Sequence, residues 1–256
     1  MRRLIKKIYQ FLFKPFFKKG LNIKIGNRGP FRMDYIFAFS RFDRIGTGNH
    51  NPGFSKWLEA CRGKRRVFDI GAHIGLYSLP ASREIAGDGY IYAFEPSKAN
   101  REYLEKHMRF NGIDNVRIYP FLIGERSEDN VSFYENLNEP DDMNAAKVIK
   151  NHKMYNKVYR KQVSLDDFCR DENIIPEVIK IDVEGAEIEV LKGAEKMLKK
   201  NRPVLFLSVH PKRLSALGSS IDKLTELVHS IGYKAYDVND NRADKLTSKE
   251  YILTAL

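Results

Sequence analysis

From Arg66 onward the chain alternates short apolar runs with longer amphipathic stretches. The runs at 67–70, 90–94, 116–119, 178–181, 204–209, 234–238 and 251–256 are rich in valine, isoleucine, phenylalanine and tyrosine. They are short, and glycine, proline or polar residues bound many of them, so they predict strands. Between them, 75–86, 98–111, 188–200 and 221–231 repeat apolar positions at helical spacing and predict helices. Strand and helix in alternation predict an α/β fold built from βα units. Two stretches break the rhythm. Residues 136–160 are polar and carry Pro140 with the acidic pair Asp141–Asp142. They read as irregular, either a plain surface insertion or a cover over a substrate site. Residues 20–56 hold Gly26, Gly29, Gly46, Gly48, Pro52 and Gly53 and read as loop-rich. The predicted organisation is therefore a basic, amphipathic arm and loop-rich lead-in over 1–56, followed by one α/β domain over 57–256.

The first nineteen residues have their own pattern. Leu4, Ile8, Phe11 and Leu12 fall on one helical face, and Lys6, Lys7, Gln10 and Lys14 lie elsewhere. Pro15 ends or kinks that helix. Aromatics with lysines suit a helix lying in the interface of an anionic membrane. The same face would also pack on the domain or on a second subunit.

Composition changes the picture in one respect. The net charge is +11. Ten of the 44 basic residues precede the first acidic one, Asp34, so the rest of the chain is nearly balanced. A basic groove for nucleic acid is therefore not implied. Hydrophobic residues make up 43% and charged residues 30%, enough for a full core. The two cysteines, Cys61 and Cys169, form no disulfide framework and no zinc spacing, which points to the cytoplasm. With a membrane-binding arm, the expected place is the inner face of the membrane. No run is long and apolar enough to span a bilayer, and no signal peptide is evident. The oligomeric state is not legible.

The strongest chemical signal runs from Val67 to Ser78: an apolar strand, then Asp69-Ile70-Gly71-Ala72-His73-Ile74-Gly75, then a helix. Gly71 lets the backbone turn sharply and approach a ligand. Gly75 falls near the helix start, where packing and free N–H groups matter. The next strand ends in Glu95-Pro96, and an acid about 20 residues past a glycine turn is placed to accept from ribose hydroxyls. A dinucleotide site would carry glycine where this chain has Asp69, leaving the helix N-terminus to a pyrophosphate. A carboxylate suits instead a cationic ligand such as S-adenosylmethionine, so this donor ranks ahead of NAD. Ala72 and Pro96 belong to the same turns, and Leu122 and Ile123, after the third strand, are apolar candidates for the adenine wall.

At the fourth strand the chain reads Val178-Ile179-Lys180-Ile181-Asp182-Val183-Glu184-Gly185-Ala186-Glu187, with Ser164-Leu165-Asp166-Asp167-Phe168 upstream. Together with the Asp69 turn, these segments resemble the FkbM-like methyltransferases over roughly residues 66–211. The resemblance implies a seven-stranded, Rossmann-like methyltransferase sheet with helices on both faces and S-adenosylmethionine as donor. It also implies a hydroxyl acceptor on a sugar, glycan or glycolipid. The chain departs from the family at Ser208-Val209-His210, where an acid often stands two residues before the histidine.

Parallel α/β sheets place their ligands at the carboxyl ends of their strands. Asp182 and Glu184 end the fourth strand and His210 follows the fifth. Asp182 or His210 is the candidate base, Glu184 would orient the acceptor, and Asp182 also faces the donor. The near-neutral pKa of an ordinary histidine favours His210 as base. Magnesium is admissible as a further cofactor, with Asp182 and Glu184 as its ligands, but no further ligand set is evident. The alternatives are an RNA methyltransferase, which the basic arm favours and the balanced body opposes, and a non-catalytic module that binds S-adenosylmethionine.

Overall fold

The computed structural model describes residues 18–48, 50–136 and 155–255. Most of the expected arm helix (1–17) and much of the expected irregular stretch (137–154) lie outside them. Among the described residues no helix is long and apolar enough to cross a membrane.

The main sheet is built from β3 (Arg66–Ile70), β4 (Tyr90–Phe94), β5 (Val116–Tyr119), β9 (Val178–Ile181), β10 (Val204–Ser208), β11 (Tyr233–Tyr236), β12 (Arg242–Ala243) and β13 (Glu250–Ala255). Their order is β12-β11-β13-β10-β9-β3-β4-β5, with five parallel strands and β13 inserted antiparallel between β10 and β11. The count is eight rather than the expected seven, because β12 adds a two-residue ladder to the edge strand β11. The crossover changes direction between β3 and β9, which opens a crevice at their carboxyl ends.

Alternation along each strand deals side chains to two cores. Phe68, Ile70, Phe94, Ile179, Ile181 and Leu207 enter one face, while Val67, Ile91, Ala93, Val178 and Phe206 enter the other. Burial on both faces is why the central strands read as unbroken apolar runs. The first face is covered by α4 (Leu165–Asp171), α5 (Glu187–Lys192), α6 (Glu195–Asn201) and α8 (Ile221–Ser230). The second is covered by α1 (Phe54–Cys61), α2 (Ser78–Ala81) and α3 (Lys98–Asn111). A further short helix, α7 (Pro211–Ala216), follows β10.

Three expectations are corrected. The helix expected over 75–86 is only α2: Pro80 has no N–H to bond the Leu76 carbonyl, which breaks the ladder before Ser78, and the chain after Ala81 continues as turns. The helix expected over 188–200 is two, α5 and α6, parted where Gly193 packs on Gly124: a Cβ there would stand 1.9 Å from the Gly124 carbonyl oxygen. Asp166 caps the second piece, its carboxylate accepting from the N–H groups of Lys196 (3.1 Å) and Met197 (2.7 Å). The third correction concerns 136–160, whose last residues are ordered strand. β8 (Asn156–Val163) pairs antiparallel with β7 (Glu128–Glu135), and β6 (Leu122–Ile123) joins β8.

Residues 20–56 hold the hairpin of β1 (Leu21–Ile25) and β2 (Arg28–Met33) with two short 3-10 turns, and then α1 begins. Ile25, Phe31 and Met33 reach the second core. His107 ties this segment to the glycine turn. Its Nδ1–H donates to the Ile74 carbonyl (2.9 Å), and its Nε2 accepts from the Asp34 N–H (3.0 Å). Burial holds the ring neutral, with its pKa lowered to about 4.

Candidate active site

A cavity of about 620 Å³ opens at the carboxyl ends of the central strands. The β3 turn supplies Gly71, Ala72 and His73, β4 supplies Phe94, Glu95 and Pro96, and the second sheet supplies Leu122, Ile123 and Phe133. Asp182, Glu184 and His210 line the same cavity, as do Ser40, Arg41, His50 and Asn51. Asn51, His73 and Glu184 all hold positive φ, a conformation that side chains other than glycine adopt at some cost.

Gly71 is needed where it stands: with φ +81°, a Cβ would lie 1.9 Å from the Asp182 carbonyl oxygen. Gly75 has a packing role. It lies outside the cavity lining, and a Cβ there would meet Leu104 at 2.7 Å. Asp69 is also away from the cavity. It is fully buried, accepts from the Ser78 hydroxyl (2.6 Å), and faces the Lys180 ammonium at 3.6 Å. The carboxylate that the sequence offered to the ligand is thus a counter-ion inside the protein.

Glu95 accepts from the backbone N–H groups of His73 (2.8 Å) and Ser97 (2.9 Å) and so staples the glycine turn to β4. Burial dominates its titration and pushes the carboxyl up to about 7, against those hydrogen bonds. A half-neutral carboxyl beside an apolar slot of Phe94, Leu122 and Ile123 fits a ribose diol with its adenine. The donor implied by the sequence is therefore compatible with the residues present.

Within this cavity, one ring nitrogen or carboxylate oxygen each from Asp182, Glu184 and His210 lie within 4.8 Å of one another. His210 Nδ1 donates to Glu187 at 2.7 Å, and its Nε2 stands 3.5 Å from Asp182 and 3.7 Å from Glu184. Burial alone would lower the imidazole pKa, but the Glu187 bond and the Asp182 and Glu184 carboxylates raise it to about 9. The near-neutral value that favoured His210 as base is not what these carboxylates produce. Burial would raise the Asp182 carboxyl, but Lys180 and His210 hold it below the usual range. Lys180 itself is buried, 3.3 Å from Asp182, and packs over the Tyr77 ring at 4.6 Å. A charged chain thus runs Asp69–Lys180–Asp182–His210–Glu187 across three strand ends.

Sequence reasoning missed Lys180, Glu187 and Glu250. Ser208, where the acid was expected, pairs in register with Glu250 on β13. Glu250 accepts from the Gly53 N–H (2.7 Å) and the Tyr77 hydroxyl (3.1 Å). The neighbouring strand thus brings a carboxylate to the same level of the sheet.

Comparison with known proteins decides the family. The Methyltransferase FkbM domain model matches residues 69–235, more than half of the chain. The chain belongs to the FkbM methyltransferase family. The family is one of methyltransferases, which implies S-adenosylmethionine as methyl donor. The chain is similar to Methyltransferase 1 of Beauveria bassiana (strain ARSEF 2860), 28% identical over 145 residues, which are 50% of this chain and 58% of that one. A methyltransferase FkbM structure from Methylobacillus flagellatus KT overlaps 86% of this chain and 60% of that one, with 15% identity and a TM-score of 0.47. A precorrin-6y C5,15-methyltransferase from Geobacter metallireducens GS-15 overlaps 79% of this chain and 87% of that one, with 16% identity and a TM-score of 0.44. The chain thus spans less than two thirds of the length of the first two of these relatives.

Proposed function

We propose that this FkbM methyltransferase transfers the methyl group of S-adenosylmethionine to a hydroxyl oxygen of a sugar, glycan or glycolipid. The observation that carries the reading is the gathering of Asp182, Glu184 and His210 in a cavity that also holds Glu95 and the Gly71 turn. These carboxylates around an imidazolium make a cluster rich in hydrogen-bond partners, suited to a polyhydroxylated acceptor.

S-adenosylmethionine supplies an electrophilic methyl on a cationic leaving group. The protein's part is to hold the acceptor oxygen in line with that methyl and to take its proton. Asp182 serves as the base in this reading. As the carbon–oxygen bond forms, the attacking hydroxyl becomes strongly acidic, so a carboxylate of low pKa suffices to receive the proton. Glu184, fixed by Arg213 at 3.3 Å, orients the acceptor. His210, already protonated, holds Asp182 and Glu184 in place rather than abstracting a proton. Lys180, Arg213 and the imidazolium balance these carboxylates, so the reading requires no metal ion.

The test is transfer of a labelled methyl group to a panel of sugars, lipid-linked sugars and RNA. An alkali-stable methyl ether on a sugar hydroxyl is the expected product. Label on RNA alone, or an alkali-labile ester, would overturn the reading.

A further inference from the structure

The second, three-stranded sheet is separate from the main one and reaches the cavity through Leu122, Ile123 and Phe133. Two residues past Phe133 on the same strand face is Glu135, which has no exposed surface. Its carboxylate accepts from the Lys98 N–H (2.8 Å) and from Arg160 Nη2 on β8. The Arg160 fork is split: Nε donates to the Pro96 carbonyl at 2.8 Å. Arg101 on α3 reaches the same peptide from the other side, donating to the carbonyls of Glu95 (2.9 Å) and Pro96 (3.0 Å). Two guanidinium groups therefore grip the backbone of the turn whose Glu95 lines the cavity.

A buried ion pair is a poor source of net stability, because desolvation offsets the attraction, whereas it can fix geometry strictly. Arg160 uses its rigid fork for two different acceptors, a job that a lysine ammonium does not reproduce. Resting on the donor assignment above, we propose that Arg160 and Glu135 are positioning residues for the methyl donor. They hold the Glu95–Pro96 turn so that the Glu95 carboxylate meets the ribose diol, and they make the β7–β8 arm part of the donor site.

The experiment is titration calorimetry with S-adenosylmethionine and with adenosine on the full chain, with melting temperatures alongside. The variants are Arg160→Lys, Arg160→Met and Glu135→Gln. Arg160→Lys keeps a charge for Glu135 but loses the Pro96 bond. It is expected to melt close to the wild type yet bind both ligands about tenfold more weakly, the equivalent of one charge-assisted hydrogen bond. Arg160→Met and Glu135→Gln are expected to lose at least as much affinity. Wild-type affinity in Arg160→Lys would overturn the proposal, and that variant decides even if Arg160→Met fails to fold. A wild-type protein that binds neither ligand would instead overturn the donor assignment itself.

Discussion

His210 Nδ1 lies 2.7 Å from the buried Glu187 carboxylate, and this bond decides the charge of the ring at the heart of the site. With a pKa of about 9 in the folded protein against about 6.5 for an ordinary histidine, the ring stabilises the fold as a cation. That stability is fully present below about pH 6.5 and is lost as pH rises through 9. Glu187→Gln is expected to bring the His210 titration down toward the ordinary value. Its ring C–H shifts, followed by NMR against pH, measure this. An unchanged titration in the variant would remove Glu187 as the cause.

Glu95 titrates near 7 because it is buried, and its ionised form is the better acceptor for ribose hydroxyls. Donor affinity is therefore expected to be highest above pH 7 and to fall as pH drops below it. Glu95→Gln should bind more weakly, by roughly ten- to a hundredfold, and show no such pH dependence. A wild-type affinity flat from pH 5.5 to 8.5 would contradict this.

Asp182 and Lys180 separate chemistry from structure. Asp182→Asn is expected to lower kcat by about 10²–10⁴ while leaving donor affinity within a few fold. Lys180→Met leaves Asp69 and Asp182 without their shared cation. It is expected to cost about 3–5 kcal/mol of stability, a fall in Tm of roughly 10 °C. Full turnover in Asp182→Asn would move the base elsewhere.

The arm over 1–19 is proposed to bind an anionic membrane surface, given its apolar face and lysines. Co-sedimentation with phosphatidylglycerol vesicles should require those residues. Equal sedimentation of the full chain and a chain lacking them would show that the arm has another role.

The parallel strands were legible because burial on both faces writes an unbroken apolar run: β4 falls where 90–94 was expected, and α3 where 98–111 was. Ser97 caps α3 and Gly112 ends it, so both boundaries had local signals. The second sheet was not legible. β7 and β8 are polar strands, and their pairing partners are far apart in the chain. Asp182, Glu184 and His210 could be placed from strand ends alone. Their partners could not: Glu250 meets Gly53 across 197 positions, and Glu135 meets Lys98 across 37. Asp69 shows the opposite failure. Its position beside the glycine turn suggested a ligand contact, but burial against Ser78 and Lys180 gives it an internal partner.

The central claim is that the cavity holds S-adenosylmethionine through Glu95. Titration calorimetry with S-adenosylmethionine and NAD, on the wild type and on Glu95→Ala, tests it most directly. The account predicts micromolar binding of S-adenosylmethionine alone, weakened at least tenfold by the substitution. No binding of S-adenosylmethionine, or equal binding by Glu95→Ala, would contradict it.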